Sequence, residues 1–139
     1  MPADLHATVA ALLADADQRY TTARRRVVAV LEAARRPLST AEILDADRAL
    51  AQSSLYRNLA VLEQAGALHR VVGADGLARY ELAEDLTGHH HHLVCSSCGT
   101  VWDVAFPRRL EDAVVRAIDA LADETGFEVH HHRLDLIGR

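Results

Sequence analysis

Residues 53–82 read SSLYRNLAVLEQAGALHRVVGADGLARYEL. Leu55, Leu59 and Leu62 fall at the spacing that gathers one apolar stripe on a helix, and Gly66 supplies a C-terminal stop. Ser53 or Ser54 is expected to cap the helix. With the leucines inward, Arg57, Ala60 and Gln64 share an outward stripe bordered by Tyr56 and Ser53. A face of small, polar and basic side chains can lie against a duplex, because bulky apolar groups there would be excluded from the groove. Arginine can bond guanine O6 and N7 through two donors, and serines at a helix N-terminus can bind phosphate. After the helix, LHRVVGADGLARYEL reads as two short strands around a turn at Asp75-Gly76.

Upstream, residues 4–17 alternate apolar and acidic positions with many alanines. Thr22 opens TARRRVVAVLEAARRP, with Val27, Val30 and Leu31 at helical spacing and a stop before Pro37. Ser39 or Thr40 then opens STAEILDADRAL, with Glu42 in its first turn. Three helices followed by a hairpin form the winged helix-turn-helix arrangement, which binds DNA and also serves as a protein-interaction module.

The charge of the chain is split along its length. The net charge is −5, with residues 1–80 at +1 (ten Arg, nine acids) and residues 81–139 at −6 (five Arg, eleven acids). Residues 19–36 hold six arginines against Glu32 alone. A solvated helix face would carry such a cluster, and so would a surface for an anionic partner. With 139 residues the chain makes one domain or two small ones. No apolar run approaches the ~18 residues of a membrane span, and no signal-peptide pattern opens the sequence, so a cytoplasmic location without membrane partners is expected.

The second half begins with the segment 88–99, GHHHHLVCSSCG, and a second run, His130 to His132, lies near the C-terminus. HHHHLVC and CGTVWDV are predicted strands joined by a C-x-x-C-G turn. Leu110, Val114, Ile118 and Leu121 mark a helix over residues 108–124, Gly126 ends it, and FEVHHHRLDLI is predicted to be a further strand. Successive strand side chains point to opposite faces, so His89 and His91 go one way and His90 and His92 the other. Four consecutive histidines therefore imply two separate sites, one turned back toward the N-terminal half and one toward the helix and last strand. Glu81, Asp103 and Glu111 are the nearby oxygen donors, and imidazole with carboxylate suits zinc, nickel, iron or manganese. The expected fold is α+β, with a winged-helix DNA-binding domain at 1–83, a hinge at 84–88 and a small α/β metal-binding and dimerisation domain at 89–139.

From Thr22-x-x-Arg25 through SLYRNL (residues 54–59), AGAL (65–68), HHHHLVCSSCG and HRLDLIG (132–138), the sequence resembles the ferric-uptake-regulator superfamily of metal-responsive bacterial repressors. The resemblance spans residues 20–138 and implies a homodimer that binds double-stranded operator DNA when metal is loaded. It implies DNA contact by Tyr56, Arg57, Ser53, Ser54, Arg24 and Arg25. It also implies a hinge sensing site of His69, Glu81, His90 and His92, with Asp103 as a further ligand, and a second site of His89, His91, Glu111 and His132. His130 and His131 are bystanders in that scheme. Many members complete a four-cysteine structural zinc site with a second CxxC beyond the position of Gly138. In the sequence as it stands Cys95 and Cys98 offer two of those ligands, leaving structural zinc, a bare thiol pair and a labile disulfide as readings.

Four ligands of the His69, Glu81, His90, His92 kind suit tetrahedral zinc, at about two ions per subunit with the second site. Asp103 as an added ligand would favour iron(II), nickel or manganese, and the resemblance leaves an iron-, nickel-, manganese- or peroxide-responsive member of the family as the alternative. Two other classes are compatible with the histidines: a metal-dependent hydrolase, against which stands the absence of HExxH, GxSxG and a P-loop, and a metal-storage or chaperone module that does not bind DNA. The expected protein is a regulator, not an enzyme.

Overall fold

The computed structural model describes residues 4–139. Helix α1 (Leu5–Asp15) is capped by Asp4, whose carboxylate accepts from the His6 N–H. Helix α2 (Thr22–Ala34) is capped by Thr21 and buries Arg24, Val27, Val28 and Leu31. Helix α3 (Thr40–Ala46) opens on a capping box in which Ser39 and Glu42 satisfy each other's backbone donors. Helix α4 (Gln52–Gln64) buries Leu55, Leu59 and Leu62 as the spacing predicts, together with Asn58. Its N-cap is Ala51 without a side-chain bond, so neither Ser53 nor Ser54 caps it; both stand exposed in its first turn.

Strands β1 (Leu68–Val72) and β2 (Ala78–Leu82) pair antiparallel as the wing, with His69 opposite Glu81. The wing ends at Leu82, and the expected hinge is a one-turn helix, α5 (Glu84–Thr87), whose Leu86 joins the N-terminal core. The second sheet has the order β4-β3-β5, from β3 (His91–Cys95), β4 (Val101–Val104) and β5 (Asp135–Gly138). Helix α6 (Arg108–Thr125) lies between β4 and β5 in the chain and buries none of its residues. The last strand is shorter than predicted: residues 127–134 carry no strand, and β5 begins at Asp135, where it pairs parallel to β3.

Two apolar clusters organise the molecule. The larger one joins α1, α2, α3, α4 and the wing, from Val9 and Leu13 through Leu31, Ile43 and Leu59 to Leu82 and Leu86. The smaller one, Val71, Val94 and Val101, packs the wing on the second sheet. Close backbone approach accompanies it. A Cβ on Gly73 would lie 2.7 Å from Gly99 O and 2.1 Å from an Arg79 nitrogen, and Gly99, at φ +77°, faces the Asp75 carboxylate. Asp75 and the buried Arg79 form a bidentate pair at 2.9 Å beside this contact.

Arg24 departs from its expected role. It is 7% exposed, and its Nε–H donates to Asn58 Oδ1 at 3.0 Å while an Nη donates to Arg19 O at 2.8 Å. The guanidinium thus ties α2 to α4 from inside the domain, and Arg25, one residue on, takes the exposed position. Arg24→Ala is expected to cost about 2–3 kcal/mol in urea unfolding, because it strands the buried Asn58 amide oxygen and the Arg19 carbonyl. A variant of wild-type stability with weakened DNA binding would instead restore Arg24 to the surface.

Candidate metal centres

The alternation of the histidine run survives folding although the strand starts only at His91. Two groups of four donors form, Glu81 with His90, His92 and Asp103, and His89 with His91, Glu111 and His132, and within each the ligand atoms lie within 4.8 Å of one another. Glu81 arrives from the wing strand β2 and Asp103 from β4, directly opposite His92 in the ladder. Glu111 comes from the first turn of α6, and His132 from the irregular segment before β5.

In the hinge group, His90 Nε2 lies 3.0 Å from one Glu81 oxygen and His92 Nε2 lies 2.8 Å from the other. Asp103 Oδ1 stands 3.5 and 3.4 Å from the same two nitrogens and, with His92 Nδ1, is a buried atom lacking a hydrogen-bond partner. Ligands held ~2.0–2.1 Å from a tetrahedral ion are ~3.4 Å apart, so this spacing and the orphaned carboxylate oxygen fit a bound metal. Burial works against a charge on Glu81, but hydrogen bonds from His90 and His92 overcome it and hold the carboxyl down to about 2. Its hydrogen bond to Glu81 draws the His90 ring up to about 9. Burial opposes a charge on His92, yet the Asp103 and Glu81 carboxylates carry it up to about 10. Burial, reinforced by the Glu81 charge, pushes Asp103 above the ordinary carboxylate range.

His69 does not join the four donors. It is exposed, across the strand from Glu81, and lines the rim of a cavity of about 260 Å³ with Glu81, Glu84, His90, His92 and His131. Asp103 occupies the fourth place expected of it, because the second sheet brings β4 beside His92 while β1 turns His69 toward solvent.

The second group is a three-imidazole, one-carboxylate set. Glu111 oxygens lie 2.8 Å from His89 Nε2, 2.8 Å from His91 Nε2 and 2.7 Å from His132 Nε2. The three ring nitrogens also converge, with His89 Nε2 3.2 Å from that of His91 and 3.1 Å from that of His132. Such a set suits tetrahedral zinc. Opposing desolvation, the His91 and His132 contacts hold the Glu111 carboxyl down to about 2. Phe106 packs on the His91 ring at 4.3 Å between centroids. His130 and His131 stay exposed and outside both groups.

Cys95 and Cys98 are free thiols, half-buried and exposed respectively, and belong to neither group. Cys98 Sγ lies 3.2 Å from Thr100 Oγ1, and hydrogen bonds from Thr100 to the thiolate lower the Cys98 thiol below its usual range. The sequence reading missed Glu84, whose carboxylate meets His89 Nδ1, and Asp135, 3.6 Å from His92 Nδ1. Glu84 stands beside Asp85 outside any motif, and Asp135 falls within HRLDLIG without a ligand role expected of it. On α4, Tyr56 is 62% exposed and Arg57, Ser53 and Ser54 are exposed beside it. The Arg25 guanidinium sits 4.7 Å over the Tyr20 ring.

Comparison with known proteins places this geometry among regulators. The model of the ferric uptake regulator family matches residues 15–137. The ferric uptake regulation protein of Brucella abortus is 32% identical over 122 residues, covering 85% of this chain and 82% of that protein. The Vibrio cholerae ferric uptake regulator superposes with a TM-score of 0.72 at 26% identity, over 91% of this chain and 95% of that one. A zinc-bound manganese uptake regulator superposes with a TM-score of 0.66 at 28% identity, over 94% and 97%.

The raised histidines move the pH window of metal loading. An imidazole of ordinary pKa would bind freely above about pH 6.5, but His90 and His92 still hold protons at neutral pH that an ion must displace. Loading the hinge group is therefore expected to release about two protons at neutral pH, with affinity still rising toward about pH 9. Titration calorimetry in buffers of different ionisation enthalpy counts these protons; a count near zero would remove the imidazolium pairs.

Proposed function

The chain belongs to the ferric uptake regulator family, and from that premise we propose that it is a zinc-responsive repressor of metal-homeostasis genes, acting in the cytoplasm as a homodimer on operator DNA. Membership makes it a metal-responsive, DNA-binding transcription regulator. The observation that carries the finer reading is Glu81, a wing residue 5% exposed and bonded to His90 and His92 on the approach to and start of the second sheet.

Metal bound at this group supplies a cross-link between β2 and β3. Glu81 carries the wing, and His90, His92 and Asp103 carry the second domain, so their common focus defines the angle between the two. In a dimer that angle sets the separation of two α4 helices, and half-sites one helical turn apart, about 34 Å, accept only one separation. Tyr56, Arg57, Ser53 and Ser54 on α4 and Arg25 on α2 are the proposed DNA contacts; Arg24 is withdrawn because its guanidinium is buried.

Two four-donor groups near tetrahedral spacing support zinc, at about two ions per subunit. His69 remains an outer residue of the hinge site. Asp103 favours a second reading: a bidentate carboxylate beside Glu81 would raise the coordination number and suit iron(II), nickel or manganese. Cys95 and Cys98 supply two ligands toward a structural zinc.

The dimer is supported by what one chain leaves uncovered. Leu93, Trp102 and Leu136 form a row across the second sheet at 39%, 44% and 49% exposure, and Ile137 beside them is 70% exposed. On α6, Leu110, Val115 and Leu121 are exposed as well. Apolar surface of this kind marks an interface. Among the described residues no helix is long and apolar enough to cross a membrane.

Mobility shifts on the protein's own promoter with chelator, zinc, iron(II), nickel and manganese test the reading. Zinc is expected to act at the lowest free concentration and to raise DNA affinity ~5–150-fold, the usual range of allosteric coupling. His92→Ala is expected to abolish that gain while leaving the weak, salt-sensitive binding of the metal-free protein intact. A lower threshold for another ion would reassign the metal, and binding indifferent to every ion would sink the sensor. Leu136→Glu is expected to shift the protein toward monomer in sedimentation analysis; an unchanged dimer would place the interface elsewhere.

A further inference from the structure

The hinge also grips the second metal group, through a residue that belongs to neither set of four. His89 is engaged at both ring nitrogens. Its Nε2 faces Glu111 at 2.8 Å, with His91 and His132 at 3.2 and 3.1 Å, while its Nδ1 hydrogen-bonds the Glu84 carboxylate. Nδ1 and Nε2 lie on opposite sides of an imidazole, so Glu84 braces the ring from behind and is not a fifth ligand to the same ion. Neighbouring His90 is set in the same manner: its Nδ1–H donates to Gly88 O at 3.0 Å, leaving Nε2 turned to Glu81. A carboxylate or carbonyl at one nitrogen, with metal at the other, is the arrangement that fixes the tautomer and orientation of ligating histidines and raises their basicity. Residues of the 84–88 segment thus provide the outer partner for the first imidazole of each group.

Glu84 has a mechanical connection that the four donors of the second group lack. It opens α5, whose Leu86 is buried as a member of the apolar cluster that α1 to α4 and the wing share. His91, Glu111 and His132 all belong to the second domain. Glu84 adds a direct link from the second group to α5, beside the contacts that His92, Val94 and Val101 of the second sheet make with the wing.

We propose that Glu84 is a positioning residue that couples the second metal site to the winged-helix domain, holding His89 with Nε2 turned to the ion and tying that ion's presence to α5. The proposal rests on the metal-site reading of the His89, His91, Glu111 and His132 group. It makes the second site part of the response and not only a staple of the dimerisation domain. An ion held by His89 orders the ring, the ring orders Glu84, and α5 passes that order to the wing and α4.

The test uses the full chain with zinc alone as the probe. Stepwise zinc affinity is measured by chelator competition for wild type, Glu84→Ala, Glu84→Gln and Glu111→Ala, alongside amide hydrogen exchange of residues 84–90 with and without zinc. Glu111→Ala identifies the binding step that belongs to the second site. Glu84→Ala is expected to weaken that step ~10–100-fold, the usual effect of removing an outer-shell partner, and to leave the other step unchanged. It is also expected to erase the zinc-dependent protection of Leu86, Thr87 and Gly88 amides. Glu84→Gln keeps an acceptor oxygen at the same reach and is expected to restore that protection. The Glu84 side chain is 42% exposed, so the metal-free variants should melt as wild type does. Wild-type affinity and protection in Glu84→Ala would overturn the coupling while leaving the site itself standing. If Glu111→Ala removes no binding step, the second site is not a metal site and the proposal falls with it.

Discussion

A buried carboxylate on the wing governs how the two halves of this molecule meet. Glu81 is 5% exposed at the far end of β2 from the wing turn, where water cannot compensate its charge. His90 and His92 supply the compensation, one to each oxygen, and they come from β3 of the second sheet and the residue before it. Removing either partner would leave an under-compensated charge in a confined place, which is why such a pair fixes an interface so strongly. The same demand can be met by a cation. Under the proposed function, a metal ion would take the place of the protons on these two imidazoles.

The polar focus works because an apolar contact lies next to it. Val71, Val94 and Val101 hold the middle of the wing on the second sheet, and Gly73 lets the wing turn approach Gly99 with no side chain between them. Arg79 and Asp75 neutralise each other there, so the wing tip brings no net charge to the CxxC turn. The interface therefore has a neutral, packed end and a charged end built of imidazoles and carboxylates.

Much of this was readable in the residues themselves. The leucine stripe of α4 is buried as spaced, Ser39 and Glu42 close the capping box, and the two-residue period of a strand sorts the four histidines into two groups. That sorting held even though His89 and His90 precede β3, because an extended chain alternates its side chains with or without a ladder partner. Where the reading erred, a competing interaction had won. Arg24 looks like its exposed neighbours but finds Asn58 and a carbonyl within the core. Ala51 starts α4 in place of either serine. The strand predicted over residues 127–137 shortens to β5, and the Leu134 N–H donates to His91 Nδ1 at 3.3 Å instead of joining the ladder, while His132 turns to Glu111.

By itself the sequence determined what depends on local period and chemistry: where the helices other than α5 lie, which face of α4 is apolar, and that the imidazoles divide into two sets with carboxylates within reach. Which carboxylate completes each set depended on contacts between segments distant in the chain. Asp103 rather than His69 sits with Glu81 because β4 pairs with β3 in a register that brings Asp103 opposite His92. Glu84 reaches His89 because α5 folds the hinge back by one turn. Register and helix packing are set by the sum of many small contacts across the core, and no single residue or spacing encodes them.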